Sequence, residues 1–494
     1  MKRDLYSALL DWKRSSSRKP LILKGARQVG KTYLIKEFGR NEYESIAYLN
    51  FERDPAFIDL FRGRLDPRGL IEKLSIYLEM RILPGRTLIV FDEIQDSPEA
   101  LGSLKYFQEE APEYHVAAAG SLLGLKLNKP TAFPVGKTAF LELFPMIFGE
   151  FLAALGRDEL RRLIDEKASF EPLDEIFHRE LSGLLKFYYF VGGMPEAVAR
   201  FAEGRDPARA REAQLQILAA HELDFRKHTT KTDTVHLAAI WDSIPAQLAL
   251  ENKRFRYAAL GKHARARDYR GSLQWFVAAG LVLKCDNVKT PRLPLAGYRE
   301  EGIAKAYFMD VGLLGARLGL TARTIMEGDR LFVEYHGALA ENFVAQELTA
   351  SAGLGAGGAG NEASRDEPSA RHSPVAYING RVRRNWTPGQ SPGPRPPREA
   401  RPGKGLFYWT SDGIAEVDFL VEADGRIYPL EVKAGVSTKK KSLLQYGAKY
   451  SPAALSRATL MNFRLDGAIR NYPLYAVSRF PAMGSGLETG VAEE

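Results

Sequence analysis

The apolar positions fall into distinct regimes along the chain. Between residues 21 and 145, five short apolar runs stand out: PLILKG (20–25), SIAYLNFE (45–52), TLIVFDE (87–93), HVAAAGS (115–121) and TAFLELFP (138–145). They alternate with stretches such as TYLIKEFGR and PEALGSLKYFQEEAPE, whose apolar residues recur at helical spacing. That alternation predicts an α/β fold, a parallel sheet with helices on both faces. From about 146 to 330 helical spacing dominates, as in FGEFLAALGRDELRRLIDEKA. Within it, residues 254–288 read as short helices, a helix ending at Gly280 and an apolar strand, the order of a winged-helix module. Beyond 330 the pattern is mixed again, with a helix over 334–350 and a β-hairpin beginning near 406. Residues 351–405 are rich in Gly, Pro and Arg and lack apolar periodicity, which predicts a disordered insertion in which VAYING (375–380) could keep some order. The stretch 481–494 reads as a loose tail. The expected division is therefore 1–150, 151–330, and 331–350 together with 406–480.

Composition narrows the class. A chain of 494 residues exceeds what one hydrophobic core serves, and 45% apolar with 26% charged residues is ordinary for a globular protein. The formal net charge of +8 permits an acidic partner such as DNA without requiring one, since a soluble surface with slightly more Lys and Arg gives the same sum. Cys285 is the only cysteine, so no intrachain disulfide can form. The first residues have no apolar core of signal-peptide length, and no run approaches about 20 continuous apolar residues. The expectation is a cytoplasmic protein with no membrane span.

The sharpest chemical signal follows the first apolar run. Gly25-Ala26-Arg27-Gln28-Val29-Gly30-Lys31-Thr32 matches G-x-x-x-x-G-K-[ST] between a strand and a helix. Glycines let the backbone curl so that successive N–H groups face a phosphate, and the helix N-terminus adds its positive end. Lys31 would reach the β- and γ-phosphates of ATP, and Thr32 would ligate Mg²⁺. A partner element is then required, an apolar strand ending in a carboxylate. LIVFDE supplies it: Asp92 to hold the metal through water, Glu93 to orient and polarise the attacking water. Ser121, ending HVAAAGS, suits contact with the γ-phosphate or the lytic water, and equally a plain strand-end cap. The cation that stabilises phosphoryl transfer often comes from a neighbouring subunit, so a homo-oligomer is one possibility; within the chain the candidates are Arg27 and Lys137.

GARQVGKTYL, YLNFE, VFDEIQ, AAGSLLGLK, PVGKTAFLELFP, GGMPEAV (192–198) and YFMDVGLL (307–314) together resemble a prokaryotic family of AAA-type ATPases carrying a second domain of unknown function. The resemblance covers nearly the whole chain outside 351–405. It implies an AAA-type fold with strand order 5-1-4-3-2, ATP as ligand and a helical middle region. Lys137 departs from the arginine that many relatives carry after the glycine, which bears on any charge-stabilising role there.

A second constellation lies in the hairpin AEVDFLVEADGRIYPLEVKAG (415–435). Asp424-Gly425 is a two-residue turn signal. Centring the turn there sets Asp418 opposite Glu431 and Glu416 opposite Lys433, all on one face. Two opposed carboxylates repel unless a proton or cation such as Mg²⁺ lies between them. The segment resembles the PD-(D/E)xK nuclease core, with Asp418, Glu431 and Lys433 in matching positions and Glu341 at the upstream acidic position. An ion-pair ladder between Glu416 and Lys433 explains part of the same pattern. The basic residues Lys262, His263, Arg265, Arg267 and Arg270 fit a phosphate backbone if the winged-helix reading holds, and a solvated helix face about as well. His221, His228 and His336 have no zinc-like spacing. The leading expectation is a Mg²⁺-dependent ATPase whose nucleotide state controls a nuclease-like domain near DNA. The alternative is a nucleotide-dependent switch or scaffold whose nuclease-like domain only binds a partner.

Overall fold

The computed structural model describes residues 1–63, 65–121, 136–228, 231–250, 253–327, 330–356, 405–411, 415–436 and 440–483. Most of the expected insertion, 357–404, and most of the expected tail, 484–494, lie outside the described residues.

The five apolar runs form strands β1 (Leu21–Lys24), β2 (Ser45–Asn50), β3 (Thr87–Asp92), β4 (His115–Ala119) and β5 (Ala139–Glu142). They make one parallel sheet in the order β2-β3-β4-β1-β5. This is the 5-1-4-3-2 arrangement written from its other edge. Side-chain alternation sorts the strands into two cores. Leu21, Leu23, Leu88, Val90, Ala117 and Ala119 pack on one face with Leu34, Ile35 and Phe38 of the helix Lys31–Glu42. Ile22, Ile89, Phe91, Val116 and Ala118 pack on the other with Leu70, Leu74, Leu101, Leu104 and Phe107. All six residues of β3 are buried, which is why this strand is an unbroken apolar run.

A second sheet has eight strands in the order β12-β13-β11-β10-β9-β8-β6-β7. Its members are β6 (Val282–Val288), β7 (Arg299–Phe308), β8 (Leu406–Thr410), β9 (Glu416–Ala423), β10 (Arg426–Val432), β11 (Leu455–Thr459), β12 (Arg464–Asp466) and β13 (Ile469–Pro473). The segment expected to resemble a winged helix has its helix at Ala266–Ala278, a left-handed Gly280 and then β6. That strand does not stand apart with its hairpin partner β7. It also pairs in parallel with β8, Cys285 against Leu406, so a boundary at 330 would divide a single sheet. Periodicity marks a strand but not its second neighbour, so this joining is a tertiary fact. The β9–β10 turn has Asp424 at φ 47° and Gly425 at φ 69°, the left-handed pair a tight hairpin requires, and Ala423 faces Arg426.

The helix Arg330–Ala356 passes between these parts. From Ala338 to Leu348 every residue is buried, so its polar side chains must find partners inside. Asn342 accepts from the Phe308 N–H at 2.8 Å and donates to the Phe308 carbonyl at 3.1 Å. Gln346 accepts from Val311 at 3.0 Å and donates to the Tyr188 hydroxyl at 2.8 Å. Glu347 accepts from the Phe148 N–H at 2.8 Å. Nearby, the GGMPEAV and DVGLL segments meet directly. Asp310 accepts from the N–H groups of Gly193 at 2.6 Å and Leu313 at 2.9 Å. A Cβ on Gly193 would stand 2.0 Å from the Met146 carbonyl oxygen, so only glycine allows this approach.

Burial lifts the Glu347 carboxyl to about 8, with the Glu150 charge adding to it and the Phe148 hydrogen bond opposing it. Its folded value lies above the ordinary 4.5, so its contribution to stability is full below that value and is lost as pH rises through 8. Glu347→Gln, which is neutral throughout, should therefore gain on the wild type as pH rises from 4.5 to 8. Melting temperatures at pH 5 and pH 8.5 check this; a gain that is the same at both values would contradict it.

Candidate functional site

The chain leaves β1 through a loop whose path needs glycine. Gly25 is held at φ 146°, and a Cβ there would lie 2.2 Å from the Leu143 carbonyl oxygen. Gln28 and Gly30 are also left-handed, and Lys31 then starts the helix. The loop is anchored through Ala26 and Val29, both buried, while Gln28 is exposed. Two cations hold it from outside. Arg27 pairs with Asp224 of the helix Pro207–His228 at 3.0 Å. Arg3, itself buried, donates to the Val29 carbonyl at 2.9 Å, to Phe144 at 2.6 Å and to Glu150 at 3.1 Å.

Lys31 is buried at the mouth of the helix and donates to the carbonyls of Gly25 at 3.0 Å and Ala26 at 2.7 Å. Burial lowers its ammonium to about 8, while Glu93 and Asp92 pull the other way. The Thr32 hydroxyl donates to Asp92 at 2.9 Å, tying the loop to the end of β3. Two further donors fix that carboxylate: the Tyr48 hydroxyl at 2.6 Å and the Asn50 amide at 3.3 Å. Glu93 follows in a left-handed conformation at φ 51° and accepts a hydrogen bond from Gln95. Burial raises its carboxyl above the ordinary carboxylate range. Ser121, at the end of β4, is buried, and its hydroxyl has no hydrogen-bond partner among the described residues.

The phosphate-loop residues, Asp92, Glu93 and Ser121 thus lie at the carboxyl ends of the central strands β1, β3 and β4, the edge where α/β sheets bind ligands. Thr32 and Asp92 offer hard oxygen donors on adjoining elements, a donor set that fits Mg²⁺ with phosphate oxygens and water. Tyr48, Asn50, Arg3 and Asp224 were not singled out from the sequence. Tyr48 and Asn50 carried a signal, polar residues two apart ending a strand, with Asn50 registered against Asp92. Arg3 and Asp224 carried none. Lys137 pairs with Glu109 at 3.1 Å.

The second constellation is also brought together, though around a residue that sequence reading missed. Lys305 of β7 is fully buried and stands 2.6 Å from Glu416, 3.4 Å from Glu341 and 3.6 Å from Asp418. Glu341 also bonds Lys253 and accepts from the Tyr307 hydroxyl at 3.0 Å. Despite burial, these two lysines hold the Glu341 carboxyl at about 2. Asp418 accepts from the Val432 N–H at 2.8 Å, and burial, with the Glu341 charge, raises it to about 6. Glu431 pairs with Lys433 at 2.8 Å. Glu416 therefore turns to Lys305, not to Lys433 as an ion-pair ladder expects. Among the described residues, no group of three or more His, Cys, Asp or Glu could hold a metal ion.

Residues 17–152 match the model of an AAA domain. Residues 182–324 and 397–476 match two models described only as domains of unknown function, DUF8612 and DUF4143. No curated protein matches the chain. Among solved structures, a Walker-type ATPase of Pyrococcus abyssi is 14% identical, with 64% of this chain and 95% of that one covered and a TM-score of 0.40. The Aeropyrum pernix ORC1 protein in complex with DNA is 14% identical over 64% and 90%, with a TM-score of 0.27. Cdc6p from Pyrobaculum aerophilum is 12% identical over 66% and 92%, with a TM-score of 0.24.

Lys31→Ala should abolish the rise in melting temperature that ATP produces, because a loop without its ammonium loses its main phosphate contact. Its own melting temperature should change little by comparison. An undiminished ATP shift in the variant would remove Lys31 from the site. The loop, the strand order and the AAA-domain match together make the N-terminal part of the chain a P-loop ATPase-like domain.

Proposed function

We propose that the chain is a Mg²⁺-dependent ATPase whose nucleotide state is passed to its C-terminal sheet. The observation that carries this reading is the Thr32–Asp92 contact, which brings the phosphate loop and the carboxylate strand to one point with Glu93 one residue beyond. On this reading the loop N–H groups and Lys31 hold the phosphates of ATP, and Thr32 and Asp92 hold Mg²⁺. The metal supplies charge neutralisation at the phosphates. Lys31 leaves the Gly25 and Ala26 carbonyls for the β- and γ-phosphate oxygens. Glu93 orients and polarises the attacking water, a task its raised carboxyl suits, and Ser121 offers its hydroxyl to the γ-phosphate or that water. Arg27 and Lys137 are engaged in ion pairs within the chain. The cation that stabilises transfer is accordingly assigned to a second copy of the protein.

Two contacts support transmission. Arg27 links the loop to the middle helices through Asp224, and Arg3 links it through Glu150 to the turn at Phe148, where the buried Glu347 of the helix Arg330–Ala356 is bonded. Both must readjust if phosphate reshapes the loop. For the C-terminal sheet the switch reading is favoured over a nuclease, because Lys305 and Lys253 already pair with the acidic groups a metal would need. DNA is the proposed acidic partner: Lys262, His263, Arg265, Arg267 and Arg270 are all exposed around the start of the helix Ala266–Ala278. No helix among the described residues is long and apolar enough to cross a membrane.

Glu93→Gln should keep ATP affinity and lower the hydrolysis rate by about a hundred-fold or more, the usual worth of a positioned base. Normal turnover in that variant would reduce Glu93 to a strand-end residue. For the partner, double-stranded DNA should raise the wild-type hydrolysis rate, and the charge reversals Arg265→Glu and Arg267→Glu should erase the increase. A rate indifferent to DNA would exclude DNA as the coupled partner.

A further inference from the structure

The carboxylates around Lys305 surround a cation, and the cation is part of the chain. Glu341, Glu416 and Asp418 come from a buried helix and from one strand, and they converge on a single point. At that point stands the Lys305 ammonium, within 3.6 Å of an oxygen from each of them. Its aliphatic stem is enclosed, its nitrogen lies 5.0 Å from the Tyr408 ring centroid, and the residue has no solvent exposure. Lys253 covers the remaining oxygen of Glu341. On the far side of Asp418, Lys433 neutralises Glu431.

The charges can be counted. Glu341, Glu416, Asp418 and Glu431 contribute four negative charges, and Lys253, Lys305 and Lys433 contribute three positive ones. A further divalent ion would bring the sum over these groups from minus one to plus one, beside a Lys305 ammonium that has no solvent exposure. Mg²⁺ demands oxygen ligands at about 2.0–2.1 Å, so it would compete for the oxygens Lys305 already holds and would face its ammonium at close range. Expelling that ammonium would require moving a fully enclosed side chain.

We infer that Lys305 takes the place of the divalent cation in this carboxylate cluster, making the C-terminal site a metal-independent structural element without metal-dependent hydrolytic activity. The inference is independent of ATP hydrolysis at Lys31 and stands or falls on metal binding alone. Charge then locks β7, β9 and the helix Arg330–Ala356 together permanently, where a metal would do so only when bound.

The test uses the full chain carrying Asp92→Ala, which removes the metal site of the phosphate loop, and Mn²⁺ as the probe. Bound Mn²⁺ is counted by electron paramagnetic resonance without nucleotide, and melting is followed in parallel. The expected result is no stoichiometric Mn²⁺ and an unchanged melting temperature. Adding Lys305→Met should lower the melting temperature and create a Mn²⁺ site whose occupancy restores part of the loss. One Mn²⁺ per chain in the Asp92→Ala protein, lost again with Asp418→Asn, would overturn the inference. So would a folded Lys305→Met variant that Mn²⁺ neither binds nor stabilises. If Lys305→Met fails to fold, the Asp92→Ala and Asp418→Asn pair still decides, because both keep the lysine.

Discussion

The structure turns on a stretch of helix, Ala338–Leu348, that has no solvent face. Over Ala338–Leu348 the helix Arg330–Ala356 is buried all round, yet it carries Glu341, Asn342, Gln346 and Glu347. Each of these must be satisfied by a different part of the chain, because an unpaired polar group in such a place costs about 1–3 kcal/mol, more if charged. Asn342 binds the end of β7, Gln346 binds Val311 and Tyr188, Glu347 binds the turn after β5, and Glu341 binds two lysines and Tyr307. The helix therefore specifies how the ATPase-like sheet, the middle helices and the eight-stranded sheet are joined. None of the three can shift far without leaving a buried group unpaired.

The phosphate loop is supported by the same economy. Its backbone amides and Lys31 have to stay available, so its stability comes from groups behind it. Arg3 bonds the Val29 carbonyl with one nitrogen and Phe144 and Glu150 with the others. Glu150 in turn accepts from the Ile147 N–H at 3.2 Å, one residue before the N–H that Glu347 holds. The loop and the buried stretch Ala338–Leu348 are thus joined by three hydrogen bonds, Val29–Arg3, Arg3–Glu150 and Phe148–Glu347, through one turn of chain. This gives the proposed nucleotide response a contiguous physical route.

Much of the first sheet could be read from residues alone. Each strand was a short β-rich run, the connecting helices had their own period, and the loop and the Asp92 strand carried a pattern fixed by phosphate chemistry. The Asp424-Gly425 turn likewise set the register of β9 and β10, because two left-handed residues leave few alternatives. Other features depended on contacts between distant segments. Lys305 sits in AKAYF, which reads as a polar position on an ordinary strand; its role arises only when Glu341 and Glu416 fold against it. Arg3 belongs to a basic start that resembles any solvated terminus. The pairing of β6 with β8 crosses more than a hundred residues, and no local period encodes it.

The central claim is that Thr32, Asp92 and the phosphate loop form one Mg²⁺-dependent site for ATP turnover. It is tested most directly by phosphate release from ATP with the purified full chain, in Mg²⁺ and again with the divalent ions chelated. The expected result is steady release in Mg²⁺ that stops on chelation and returns when Mg²⁺ is restored in excess. Release that continues unchanged without divalent ions, or no ATP binding under either condition, would contradict it.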